Sequence, residues 1–210
     1  LPSATAAADH VLSANGISIV FAKRLAGAVW TLKWNGHDFV GVTEGNGGSL
    51  QSALAYDVKR GESPEVENPT EAGNVKDQGG RTSSKWLTAA KSGTEMCTKT
   101  QMAYFIPPGE VVQSSPAKSR ARGRGVLSDT TMSKRVSIGY KSFKNVIRYV
   151  VQFDCPSTQW FTQIEVLTGY MPNAFNKMYT VENGKARAQA GPIYSRSPPS
   201  PAYPVIAAKS

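Results

Sequence analysis

The stretch Val29-Trp30-Thr31-Leu32-Lys33-Trp34, followed at once by Asn35-Gly36, constrains this chain more than any other. Its alternation puts Trp30, Leu32 and Trp34 on one face of a strand and Thr31 and Lys33 on the other. Asn-Gly between two such runs is the strongest short-range hairpin signal, because both central residues of a type I′ turn need φ > 0. Ile17-Ser18-Ile19-Val20-Phe21 before it and Asp38-Phe39-Val40-Gly41-Val42 after it supply the flanking strands.

The same pattern of short alternating runs bounded by Gly, Pro, Asn and Ser predicts strands at 48–56, 85–90, 95–105, 133–140, 145–153 and 161–168. Roughly nine or ten strands in one domain imply two packed layers. The expected fold is therefore all-β, a two-sheet antiparallel β-sandwich with long loops. It would form a single domain over residues 1–210, with a flexible leader at 1–15 and an extended, Pro-rich tail at 191–210. Two loops interrupt the pattern, at 59–81 and 109–129, and loops of that length inside a domain are usually either functional or disordered.

Nothing in the chain approaches eighteen consecutive apolar residues, so no helix is expected to span a bilayer. The small-residue run Leu1-Pro2-Ser3-Ala4-Thr5-Ala6-Ala7-Ala8 is of the kind left by signal-peptide cleavage. Cys97 and Cys155 are far apart, lack CxxC spacing and sit beside apolar runs, which suits a structural disulfide between them. Together these features lead to the expectation of a secreted or periplasmic protein.

With 24 Lys and Arg against 15 Asp and Glu, the formal net charge is +9. That favours anionic partners: an acidic polysaccharide, another anionic polymer or, less readily, nucleic acid. The sharpest basic feature is Lys118-Ser119-Arg120-Ala121-Arg122-Gly123-Arg124. Arg120, Arg122 and Arg124 are candidate ligand contacts there, although no aromatic residues are interleaved for base stacking.

His10 and His37 are the sole histidines. A Ser-His-Asp or Cys-His triad is therefore not expected, nor a histidine-built metal site, and no cofactor is implied. The carboxylates are more informative. Glu44 and Glu71 lie in polar loops, Asp57 closes its strand and Glu165 sits in Gln163-Ile164-Glu165, and a carboxylate pair on loops at one end of a sandwich is what glycosidic-bond hydrolysis requires. Glu71 leads the candidates, because Asn68-Pro69-Thr70 before it and Ala72-Gly73 after it should hold its side chain at a defined place. Glu44 and Asp57 follow. Tyr140, Arg148 and Tyr170 form a second constellation, in which arginine would neutralise a uronate and tyrosine would move a proton. Trp86, Tyr104 and Trp160 could alternatively form a sugar-stacking platform.

The segment Gly27-Ala28-Val29-Trp30-Thr31-Leu32-Lys33-Trp34-Asn35-Gly36-His37-Asp38-Phe39-Val40, with Gly48-Ser49-Leu50-Gln51-Ser52-Ala53 after it, resembles the opening hairpin of galactose-mutarotase-like sandwiches. The resemblance covers residues 27–53 and implies a carbohydrate-facing β-sandwich. The interior histidine pair of that family is missing here, so the resemblance does not extend to sugar epimerisation. The expectation is a polysaccharide-binding protein that could also cleave its ligand as a hydrolase or lyase. Its rival is a non-enzymatic glycan- or polyanion-binding protein acting through the basic loop.

Overall fold

The computed structural model describes residues 9–40, 50–77, 81–116, 118–169, 171–172, 175, 177–182, 185–189 and 203–207. By its internal contacts the chain divides into two compact units, Leu1–Tyr170 and Met171–Ser210.

The first unit is built from β1 (His10–Ala14), β2 (Ile17–Phe21), β3 (Val29–Trp34), β4 (His37–Asp38), β5 (Leu50–Tyr56), β6 (Pro69–Thr70), β7 (Lys85–Ser92), β8 (Glu95–Tyr104), β9 (Leu127–Tyr140), β10 (Phe143–Asp154) and β11 (Thr162–Gly169). All pair antiparallel. The all-β class is as expected. By hydrogen bonding these strands form one continuous eleven-stranded antiparallel sheet in the order β1-β2-β3-β5-β6-β8-β9-β10, with β4 on β3, β7 on β8 and β11 on β5. The link is β6, a two-residue strand whose Thr70 pairs with Ala53 of β5 on one side and Ala103 of β8 on the other.

Asn35-Gly36 turns as anticipated, with φ of 48° and 84°. A second turn of the same kind, Asn15-Gly16, has φ of 52° and 76°. It joins β2 to β1, so residues 10–14 form a paired strand where a flexible leader was expected. Leu12 of β1 is fully buried, and burying such a side chain contributes about 1.5–3 kcal/mol, enough to order a terminal strand.

The main core joins the early and late strands. Leu12, Ile17, Ile19, Phe21 and Val29 pack with Ala89, Met96, Val136 and Ile138, and Trp86, Ile147 and Tyr149 close over them. Strand β9 shows the clearest alternation: Ser128, Thr130, Met132, Lys134, Val136 and Ile138 are all buried. A lysine thus occupies an inward position between two apolar ones, a placement dictated by the period of two.

The expected disulfide is not formed: Cys97 and Cys155 are both free, the first half-buried and the second exposed. The register explains why. Cys97 on β8 pairs with Arg135 of β9, while Asp154, the neighbour of Cys155 at the end of β10, pairs with Thr131 of β9. The cysteines lie on opposite sides of β9, so two strand spacings alone separate them by about 10 Å. A disulfide cannot bridge Cα atoms beyond ~7 Å.

The second unit is a three-stranded antiparallel sheet of β12 (Lys177–Glu182), β13 (Lys185–Gln189) and β14 (Tyr203–Ala207), with β12 in the centre. Part of the proline-rich tail is therefore a strand, and Pro204 sits on an edge, where a residue without an N–H is tolerated. No helix among the described residues is long and apolar enough to cross a membrane.

Candidate functional site: an acidic cleft beside a buried ion pair

Glu71, the leading candidate from sequence, is held in place as its Pro and Gly neighbours suggested, but within the core. It is fully buried. Its backbone N–H donates to Ser52 O at 2.9 Å, and its Oε2 accepts from the Ser52 N–H at 3.2 Å. Oε1 accepts from Lys134 Nζ, which also donates to Gly27 O at 2.7 Å. The Phe21 and Tyr149 rings flank the ammonium at 5.4 and 5.7 Å, within cation–π range.

Burial pushes the Glu71 carboxyl up and the Lys134 ammonium down, each against the pull of the other's charge. Burial, and then the charge of Glu71, raise the Tyr149 hydroxyl well above its ordinary value, with the nearby Ser52 side chain pulling the other way. Every oxygen of this carboxylate is committed inside the fold. Glu71 therefore presents no carboxylate oxygen to solvent with which to act on a polymer.

The opposite face of the same strand presents something different. Successive residues of β5 point to opposite sides of the sheet, and Gln51 and Ala53, which share a face, form the floor of a cleft of about 250 Å³. Its walls are Ser63, Pro64, Glu65, Asn68, Thr70, Phe105, Glu165 and Thr168.

Two local devices aim the carboxylates here. The first is in β11, where Glu165 pairs with Ala53 but Thr168 pairs with Gln51, so three steps along β11 match two along β5. The extra residue is a β-bulge. Without it, residues three apart would face opposite ways; with it, Glu165 and Thr168 share the cleft face, and Thr168 Oγ1 donates to Glu165 Oε2 at 2.6 Å. The second is the 3-10 turn Pro64–Glu67, whose first N–H groups need a partner. Ser63 caps it, its Oγ accepting from the Glu65 N–H at 3.3 Å. Proline at the first position suits such a start. Ser114 Oγ donates to Glu65 Oε2 and thereby fixes the side chain.

The basic segment supports that turn from behind. Arg122 Nη1 donates to Glu62 at 2.8 Å, its Nε to Glu67 at 3.4 Å and its Nη2 to Asp57 O at 2.8 Å. Ala121 is buried with Val66 and Val112. Arg120 Nη1 donates to Gly109 O at 2.7 Å, and Lys118 Nζ donates to Gln113 O at 3.1 Å. Arg124 is exposed. The segment is thus largely stitched into the fold.

Asp57, with φ of 43°, accepts from the N–H groups of Trp160 and Phe161 at 2.9 and 3.0 Å, which is a turn-capping role. Tyr140 and Arg148 do come together, with the guanidinium 5.5 Å from the ring centroid, on the exposed part of the β9–β10 hairpin. Glu44 and Tyr170 lie outside the described residues. Of the aromatic trio, Trp86 packs edge-on to His10 in the core and Tyr104 lies over Gly123, while Trp160 is 96% exposed. His37 is exposed at its hairpin.

Glu65 had no place among the sequence candidates, although Ser63-Pro64-Glu65 carries the signature of a capped helical start. Among the described residues, no three His, Cys, Asp or Glu side chains gather as a metal site would require. No protein-family model matches the chain, and comparison with curated proteins finds no relative.

Proposed function

We propose that this protein binds a saccharide in the cleft over Gln51 and Ala53. The observation that carries the reading is the joint presence, in one concavity, of two carboxylates, the side-chain amides of Gln51 and Asn68, the hydroxyls of Thr70 and Thr168, and one aromatic ring, Phe105. Sugars present hydroxyl groups around an apolar ring face, and a few fixed polar groups beside an aromatic surface match both. The resemblance of residues 27–53 to the opening hairpin of mutarotase-like sandwiches points the same way. At about 250 Å³, the cleft is below the ~300–1,000 Å³ of pockets for drug-sized ligands. One sugar ring, the end or a single unit of a longer chain, is the fitting occupant.

A second reading is favoured by the carboxylates themselves. Glu65 and Glu165 come from different elements that meet at this cleft, and a pair of carboxylates is what glycosidic-bond hydrolysis uses, one protonating the glycosidic oxygen and the other activating water or attacking carbon. Binding and cleavage would then share the site. The polyanion-docking alternative has less support, because Arg120, Arg122 and Lys118 already have intramolecular partners.

Thr168→Trp, which puts an indole in the cleft from an exposed-edge strand, tests the reading. Wild type is expected to retain at least one class of oligosaccharide on a glycan array, and the variant is expected to lose it while keeping its circular-dichroism spectrum. Retention unchanged in a folded Thr168→Trp protein would place any binding elsewhere. If the bound glycan is also cut, reducing ends should appear with wild type, and Glu165→Gln should slow their release by roughly 10² or more, as removal of a general acid or base does.

A further inference from the structure

The polar groups of the cleft are lopsided in kind. Glu65 and Glu165 offer acceptors, and none of the lining residues is Lys, Arg or His. Asn68 adds a third acceptor: it is only 8% exposed, and its Oδ1 has no hydrogen-bond partner among the described residues. A buried acceptor left unsatisfied is costly and uncommon, and a ligand donor would satisfy it.

Among the described residues, the donors that hold these carboxylates are neutral, Ser114 for Glu65 and Thr168 and Gln163 for Glu165. Elsewhere the acids find cations: Glu62 and Glu67 pair with Arg122, Glu71 with Lys134, Glu95 with Arg135 and Glu110 with Lys76. Among the described residues, no lysine or arginine pairs with Glu65 or Glu165. The cleft is thus a pocket of negative charge in a chain whose net charge is +9. At physiological salt, exposed charges beyond ~8 Å are largely screened. The nearby Arg122 guanidinium is already paired with Glu62 and Glu67, which leaves Glu65 and Glu165 to set the sign of the field that a ligand meets here.

An acceptor-rich, anionic concavity asks for a ligand rich in donors and carrying positive charge. Resting on the saccharide reading above, we infer that the cleft takes an amino sugar with a free ammonium, a de-N-acetylated hexosamine unit, in preference to its N-acetylated form or a uronate. The ammonium has three donors, enough to serve a carboxylate and the orphaned Asn68 carbonyl together. Acetylation would remove the charge and leave a single amide N–H. A uronate would bring a like charge against Glu65 and Glu165, which is repulsive in a partly desolvated cleft. Inference and net charge thus point to opposite ligands, and the local groups decide.

Isothermal titration calorimetry at physiological salt, with glucosamine disaccharide, its N,N′-diacetyl form, a neutral glucose disaccharide and a digalacturonate, separates the cases. The amino disaccharide is expected to bind at least about tenfold more tightly than the diacetyl form, the difference expected when a charge-assisted hydrogen bond is lost. Glu165→Gln should erase most of that preference. Equal affinities, or a preference for the acetylated sugar or the uronate, would overturn the amine assignment while leaving a saccharide site standing. Failure of every sugar to bind would remove the saccharide reading itself and the inference with it.

Discussion

Lys134 and Glu71 show how one residue pair can mark a structural site rather than a chemical one. Each is fully enclosed, and each is the other's only opposite charge in the ion pairs described. Breaking a buried pair from one side strands a charge in the core and typically costs about 3–5 kcal/mol, whereas replacing both partners by apolar residues of similar size is often neutral or stabilising. Lys134→Met is therefore expected to destabilise by about 3–5 kcal/mol in urea unfolding, and the double variant Lys134→Met/Glu71→Met to recover most of it. Saccharide binding should persist in the double variant. A double variant as unstable as the single, or one that is folded but without binding, would show that the pair does more than hold β6 against β9.

At the scale of elements, the 3-10 turn Pro64–Glu67 and the basic segment form one assembly centred on Arg122. Burial alone would push the Glu62 carboxyl up. The Lys59 N–H and the Arg122 guanidinium more than offset that and hold it below its ordinary value. A carboxyl whose pKa is lower folded than unfolded contributes stability above its unfolded value of about 4.3, and loses it as pH falls through the lower folded value. Arg122→Ala should therefore lower the melting temperature at pH 7, and the gap from wild type should narrow as pH drops below about 4. A gap that stays constant with pH would mean that Arg122 acts through packing and its bond to Asp57 O alone.

The same elements show what could be read in advance. Both Asn-Gly hairpins are local chemistry and were legible, although the one at Asn15-Gly16 was passed over because a small-residue leader was expected there. The inward lysine was legible in principle, since Met132, Lys134, Val136 and Ile138 alternate, but β9 begins at Leu127 rather than at Ser133. The bulge that aims Glu165 and the register that separates Cys97 from Cys155 were not legible. Both depend on which residues of distant strands pair, and no local propensity encodes that.

At the scale of the whole molecule, a surplus of positive charge, spread over the surface and partly committed to internal bonds, contrasts with one concave acidic site formed where β5, β11 and the 3-10 turn converge. Ligand is expected to meet this protein in that cleft, not on the basic segment and not at the exposed Trp160. The most direct measurement is a backbone amide NMR titration of the isotope-labelled chain with glucosamine disaccharide. Shift changes are expected to concentrate at Gln51, Glu65, Asn68, Thr70, Glu165 and Thr168, with residues 118–124 and Trp160 little moved. Changes confined to 118–124 or to the neighbourhood of Trp160, with the cleft amides unmoved at saturation, would contradict it.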